Sequence, residues 1–361
     1  MKVALVHDWL TGMRGGEKCL EVFCEMFPKA DLYTLLHVPG TVSATIEKMS
    51  IHTSPLQKLP FAAQKYRYYL PLFPWIVNHW RPKRGRYDLV LSSCHCVAKG
   101  LRFAQPPRSV CYCYTPMRYI WCQTKNYYAG DWRQPALNLA APRLRAWDLR
   151  SNEQVDEFIG ISRHVSERIR RFYGRVAATI YPPVDDQFYH LPESSAERED
   201  FHLIVGALEP YKRIDLAVEA FRQWQRPLKI VGKGTMLESL RSQAPSNIEF
   251  LGWQSNETIR SLYQRARALV FPGEEDFGIV PVEAQACGCP VVAYGVGGAC
   301  ETIEENKTGV FFRDPTVDSL LEALKRCDTI SWDPRSLRSQ AEKFSRRRFR
   351  QAMEAYLSRP R

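Results

Sequence analysis

Short apolar runs alternate with amphipathic stretches along nearly the whole chain. Val3-Ala4-Leu5-Val6 reads as a buried strand, followed by a glycine-rich loop (Gly12, Gly15, Gly16) and a helical stretch from Glu17 to Phe27. The same alternation continues in the strand patterns Asp88 to Leu91, Ser109 to Tyr112 and Phe158 to Ile161, the last leading into a helix capped at Ser162. Repeated strand–helix–strand units predict a parallel sheet covered by helices. The proline- and acid-rich segment Pro182 to Asp200 has no sustained period and reads as a linker. Beyond it a second series begins. It has strands at His202–Val205, Leu228–Val231 (running into Gly232-Lys233-Gly234), Ile248–Leu251 and Ala268–Phe271, with a helix at Ile214–Trp224. The chain is therefore expected to be α/β, with two Rossmann-like parallel-sheet domains at 1–182 and 183–344 and an amphipathic basic helix within 345–361. Two such domains in tandem are expected to face each other across a ligand-binding cleft.

Composition narrows the class. The 361 residues carry 50 Lys+Arg against 39 Asp+Glu, and 45% are hydrophobic, a globular balance. The longest apolar run, Leu70 to Val77, is far shorter than the roughly 20 residues a spanning helix needs. The first apolar stretch stops at His7-Asp8, too early for a secretory leader, so a cytoplasmic location is expected. Eleven cysteines, an odd number, argue against a disulfide framework. The pairs Cys94/Cys96 and Cys111/Cys113 leave one residue between cysteines where zinc sites leave two to four, so packing is expected there instead of metal. The positive charge belongs to the first half, most densely from Lys65 to Tyr87, where Lys65, Arg67, Arg81, Lys83, Arg84 and Arg86 interleave with aromatics. Such a face attracts an anionic leaflet, an anionic acceptor or nucleic acid; an ordinary helix pair with solvated charges is the plain alternative.

The densest chemistry lies between Leu269 and Gly309. After the strand, the loop Pro272-Gly273-Glu274-Glu275-Asp276-Phe277-Gly278 opens a helix at about Ile279 to Ala286, with Pro281 in its first turn and Gly288 past its end. Unpaired N–H groups at such a start suit an anion such as a diphosphate. Glu275 and Glu283 can reach the same mouth from different heights, and carboxylates pair with vicinal hydroxyls, not with phosphate. A second glycine loop, Gly295 to Gly298, repeats the geometry. Lys212 and Arg213, between the domain's first strand and first helix, can neutralise a departing diphosphate without metal.

The stretch Glu275-Asp276-Phe277-Gly278-Ile279-Val280-Pro281-Val282-Glu283 resembles the E-x7-E motif of the retaining glycosyltransferases of family 4, which have the GT-B fold. The resemblance extends to HDWL and RGGEK near the start, DLVLSSCHCVAKG at 88–100, YTPMRYIW at 114–121, IYPPVD at 180–185, ALEPYKRIDLAVEAF at 207–221 and CGCPVVAYGVGGACETI at 287–303. Its finer likeness is to bacterial mannosyltransferases of surface-polysaccharide and O-antigen assembly. The resemblance implies that Glu283 holds ribose hydroxyls and Glu275 the transferred sugar, with the amides of Phe277, Gly278, Ile279 and Val280 near sugar and phosphate. It further implies Lys212, with Arg213, on the donor diphosphate, and close approach at Gly15, Gly16 and Gly234. In similar proteins the final helix returns to the first domain. Two departures stand out: Ala207 where relatives often carry Arg, and Tyr114 where many carry His, which leaves His95 and His7, with Arg118, as candidates on the sugar or acceptor side.

The implied reaction is metal-independent transfer with retention at the anomeric carbon, from a nucleotide sugar, GDP-mannose, to a saccharide or polyprenyl-diphosphate-linked acceptor at the inner face of the membrane. No cofactor and no nucleic acid is expected; the acidic Glu274-Glu275-Asp276 loop argues against the latter. The competing readings are an epimerase or phosphorylase on the same fold and a silent nucleotide-sugar-binding relative, the latter suggested by Ala207 and Tyr114.

Overall fold

A computed structural model describes residues 1–82, 86–104, 107–121, 134–193 and 198–359, with the side chains of 134–138 left out. Lys83, Arg84 and Cys122 lie outside the described residues. The chain divides into two compact units, Met1–Pro183 with Arg350–Arg361, and Val184–Phe349.

The first unit is built on seven strands in the order β3-β2-β1-β4-β5-β6-β7. They are β1 (Val3–His7), β2 (Asp31–Thr34), β3 (Ser50–Thr53), β4 (Leu89–Cys94), β5 (Arg108–Cys113), β6 (Glu157–Gly160) and β7 (Ala177–Thr179). Every pairing is parallel. Helices α1 (Gly15–Met26), α2 (Gln134–Ser151) and α3 (Arg163–Tyr173) lie between strands. A parallel sheet covered on both faces needs strands apolar on both sides, and all five residues of β1 are buried. The expected cap is present, with Ser162 Oγ accepting the Val165 N–H at 3.0 Å.

The second unit has six parallel strands in the order β10-β9-β8-β11-β12-β13. These are β8 (His202–Val205), β9 (Leu228–Val231), β10 (Ile248–Gly252), β11 (Leu269–Phe271), β12 (Val291–Tyr294) and β13 (Gly309–Phe312). Its helices include α4 (Ile214–Trp224), α5 (Asn256–Arg265), α6 (Ile279–Ala286), α7 (Val317–Thr329) and α8 (Pro334–Glu342); α9 (Arg346–Leu357) ends the chain. The apolar stripe of α4, with Ile214, Ala217, Val218 and Phe221, packs with Ile204, Ile230, Val270, Val292 and Phe312 into one core. Burying each larger side chain there contributes about 1.5–3 kcal/mol.

The expected linker is a correction. Residues following Pro183 are strapped to the second unit: the Val184 N–H donates to Phe344 O at 2.8 Å. Arg338 donates to the Tyr189 and Asp186 carbonyls at 2.5 and 2.7 Å. Arg260 donates to Phe188 O at 3.1 Å. Proline and acid break the period, yet long donors from α5 and α8 satisfy the irregular backbone.

Candidate functional site

In both sheets the strand order reverses beside the first strand, between β8 and β11 in the second unit. Doubly wound sheets take ligands outside the carboxyl ends of the strands at this reversal. The chain leaving β8 carries Lys212, and the chain leaving β11 carries Glu275. Gly273 lets the two loops touch: a Cβ there would lie 2.7 Å from Tyr211 O and 2.8 Å from Lys212 Cα. The result is an ion pair between Lys212 Nζ and Glu275 Oε1, with the two side chains only 19% and 15% exposed. The Tyr211 and Phe271 rings lie 5.4 and 5.8 Å from the ammonium.

The second glycine loop braces the first. The Gly298 N–H donates to Glu275 O at 2.8 Å. A Cβ at Gly298 would meet Phe277 Cα at 2.3 Å, so this contact admits glycine alone. Helix α6 starts from Gly278, and no side chain caps it. Glu283 sits inside α6 and is buried. Burial first, and the Glu283 charge second, push the Tyr263 and Tyr189 phenols upward, so both hydroxyls stand in that carboxylate's field. A cation, amide dipoles and a carboxylate thus converge at the reversal. This set accepts an anion and hydroxyls together, as a sugar nucleotide presents them.

Other expected positions are corrected or refined. Arg213 Nε lies 3.4 Å from both Asp215 oxygens, on the helix it starts. Gly234 is a packing position, since a Cβ there would lie 2.3 Å from Leu208 O.

In the first unit, Gly15 is exposed at the start of α1 with open space around it. Tyr114 lies over Gly16 and donates its hydroxyl to Gly16 O at 2.7 Å, so it braces the loop. His7 is buried and shares a 2.7 Å hydrogen bond with Ser93 Oγ, the position of a core histidine. Arg118 opens the turn Arg118–Trp121 and is half-buried. His95 remains partly exposed beside Asp8.

Asp8 was not singled out from the sequence. Its buried carboxylate receives four backbone N–H groups, from His95, Cys96, Val97 and Ala98, at 2.7–2.9 Å. Burial alone would raise its carboxyl; the charge and hydrogen bonds of His95, aided by His7, outweigh that and hold it well below the usual carboxylate range. The only signal was an acid immediately after a buried strand.

Cys94, Cys111 and Cys113 lie in the neighbouring strands β4 and β5, with Cys94 opposite Cys113, Cys96 follows in the turn after β4, and all four are buried thiols raised by desolvation. Among the described residues no group of three or more His, Cys, Asp and Glu is poised to hold a metal. None of the described helices is long and apolar enough to cross a membrane.

Residues 185–344 match the family model described as Glycosyl transferases group 1. An uncharacterised glycosyltransferase of Methanocaldococcus jannaschii is 27% identical over 47% of this chain and 48% of its own length. A GDP-mannose-dependent alpha-(1-6)-phosphatidylinositol monomannoside mannosyltransferase of Mycobacterium tuberculosis is 30% identical over 51% of this chain and 55% of its own. The chain thus spans about half the length of these two relatives. The crystal structure of Anabaena HepE in complex with UDP and glucose superposes with a TM-score of 0.70 at 17% identity, covering 100% of both chains. The fold is therefore the expected GT-B pair of parallel-sheet α/β units, and the second unit carries the match to the glycosyl transferases group 1 model.

Proposed function

We propose that this chain, carrying a glycosyl transferases group 1 domain in its second unit, is a retaining family 4 enzyme. On this reading it moves mannose from GDP-mannose to a saccharide or polyprenyl-diphosphate-linked acceptor in surface-polysaccharide synthesis. The observation that carries the reading is the Lys212–Glu275 pair at the reversal of the second sheet, beside the uncapped start of α6. Lys212 and the α6 amides take the diphosphate, Glu275 turns to the transferred sugar, and Glu283 accepts ribose hydroxyls. Charge accumulates on the leaving diphosphate, so stabilisation there, with positioning, supplies the catalysis. The acceptor hydroxyl attacks from the face the diphosphate leaves, and the leaving oxygen takes its proton. No protein nucleophile or metal enters this scheme. The GDP-mannose dependence named for the Mycobacterium tuberculosis relative supports the choice of donor.

The first unit serves the acceptor side, at a cytoplasmic membrane surface. Between Glu47 and Asp88 the sequence has no acid and eight Lys and Arg residues. Phe61, Tyr68, Leu72 and Trp75 stand exposed along that segment, with Lys65 and Arg67. Apolar anchors among cations suit an anionic leaflet. Vesicles rich in phosphatidylglycerol should sediment the protein and neutral vesicles should not; Trp75→Ser should weaken the binding, and equal binding to both would refute the attachment.

Thermal-shift screening with GDP, UDP and their sugars tests the donor. A ligand at 100 times its dissociation constant stabilises by about 2.7 kcal/mol. Stabilisation by GDP-mannose and not by UDP-sugars is expected, followed by a product of α configuration on NMR. Inversion, or donor turnover that requires no acceptor, refutes the reading.

A further inference from the structure

The first unit holds a surface cavity of about 180 Å³ that shares no lining residue with the glycine loop, His7, His95 or Tyr114. Its walls come from the end of the helix Phe73–His79, from the stretch around and after the turn Ala98–Gly100, and from the end of α2 with Gln154 beyond it. One wall is rigid. Trp147 is buried against Gly100, where a Cβ would lie 2.8 Å from the indole. The adjoining Asp148 accepts the Lys99 ammonium on Oδ1 at 2.7 Å, and the Trp121 indole N–H and Tyr173 hydroxyl on Oδ2 at 2.7 and 2.9 Å. Lys99 and Asp148 are both buried, so their charges cancel within the core.

The groups lining the cavity are mostly donors. Arg102 and Arg150 are both exposed, and neither has an acidic partner among the described residues. Asn78 Oδ1 accepts the Trp147 indole N–H at 3.2 Å; an indole only donates, so the amide oxygen is fixed there and its N–H₂ is left for another acceptor. Gln154 adds a second amide. No carboxylate lines the cavity: Asp148 is spent on Lys99, and the exposed Glu153 lies outside the lining. Arg81 donates to Asn78 O and brings a third cation to the same helix end. Guanidiniums gathered without a counter-charge repel one another, and a bound anion relieves this. Their planar forks and the two amides offer more donors than the two oxygens of a carboxylate can use, whereas a phosphate presents oxygens on several sides. Exposed apolar residues flank the opening in sequence, with Leu72 and Trp75 leading to Asn78 and Leu149 preceding Arg150.

We propose that this cavity is a phosphate site, taking the phosphodiester of a lipid headgroup or a free phosphate ester between Arg102 and Arg150. The inference does not need the glycosyl-transfer reading; only its lipid source rests on the leaflet attachment proposed for the first unit.

The test uses glycerol 1-phosphate and dihexanoyl phosphatidylglycerol below its micelle concentration, titrated calorimetrically into wild type, Arg102→Gln, Arg150→Gln, Arg143→Gln and Lys212→Met. Arg143 is exposed on α2 and lines no part of the cavity, so its variant reports general surface charge. Arg102→Gln and Arg150→Gln should each weaken both probes roughly five- to tenfold, a charge-assisted hydrogen bond discounted for exposure. Their urea midpoints and GDP affinities should match wild type, and Arg143→Gln and Lys212→Met should bind both probes normally. Arginine-dependent binding that is tighter for the lipid assigns the site to a headgroup; equal binding of the two probes assigns it to a free ester. If neutral and anionic vesicles sediment the protein equally while glycerol 1-phosphate still binds through both arginines, the leaflet attachment fails and the site stands. An equal loss in Arg143→Gln, a loss confined to Lys212→Met, or wild-type protein that binds neither probe at millimolar concentration overturns the inference.

Discussion

Replacing Lys212 by Met removes the cation from the second unit's reversal and leaves Glu275 with the same backbone support and no counter-charge. Two costs follow for a bound nucleoside diphosphate. A charge-assisted hydrogen bond contributes about 1.5–3 kcal/mol, so its loss alone weakens binding roughly 10- to 150-fold. The stranded carboxylate then faces the ligand's negative charge; two like charges about 6 Å apart at an effective dielectric near 20 repel by about 3 kcal/mol, less where water reaches them. With 19% and 15% of the two side chains exposed, the second cost is only partly screened. Lys212→Met should therefore lose more affinity for GDP than Lys212→Met/Glu275→Gln, and Glu275→Gln alone should hold GDP at least as well as wild type. Glu275→Gln should nonetheless lose sugar transfer, because its carboxylate serves the sugar. Isothermal titration of GDP across the four proteins, at low and high salt, closes the cycle. An affinity for Lys212→Met within about threefold of wild type, or a double variant weaker than Lys212→Met, would refute the reasoning.

The packing and charge of the two reversals give further expectations. Gly273→Ala places a methyl 2.7 Å from Tyr211 O and 2.8 Å from Lys212 Cα, so GDP affinity should fall by tenfold or more while the circular-dichroism spectrum is retained; unimpaired affinity would show that the loops have room. Asp8→Asn puts an amide N–H₂ against backbone donors and should cost about 3 kcal/mol at neutral pH, read from urea unfolding. The Asp8 carboxyl is held below its unfolded value, so the stability it contributes is present above about pH 4 and is lost as pH falls toward the folded value. The gap between wild type and Asp8→Asn should therefore narrow from pH 7 to pH 3, and a gap that widens would contradict the sign.

Much of this architecture is readable from local pattern. His202–Val205, Ile214–Trp224, Leu228–Val231 and Ile279–Ala286 form where apolar spacing and flanking glycines place them. The strands Asp31–Thr34, Ser50–Thr53, Ala177–Thr179 and Gly309–Phe312 are not readable in that way. All four lie at a sheet edge or next to one, and Ser50–Thr53 and Ala177–Thr179 contain no fully buried residue, so pairing with a neighbour defines these two and hydrophobic period does not. The site divides the same way. Strand–glycine–helix spacing points to Lys212, Glu275 and the start of α6. The contact between the first two depends on β8 and β11 being adjacent and on Gly273, and neither is a local property. Asp8 was hidden for a similar reason: its four partners lie 87–90 residues further along the chain. Arg213 looked equivalent to Lys212 in sequence, but its backbone, at φ 52, starts α4 and its side chain turns to Asp215.

The central claim, that a sugar nucleotide is gripped at the reversal of the second sheet, is tested most directly by a crystal structure of the protein with GDP-mannose. The account predicts the diphosphate within hydrogen-bond distance of Lys212 Nζ and the first amides of α6, the Lys212–Glu275 pair opened, and Glu275 on a mannose hydroxyl. Nucleotide density away from β8 and β11, with Lys212 and Glu275 still paired, would contradict it.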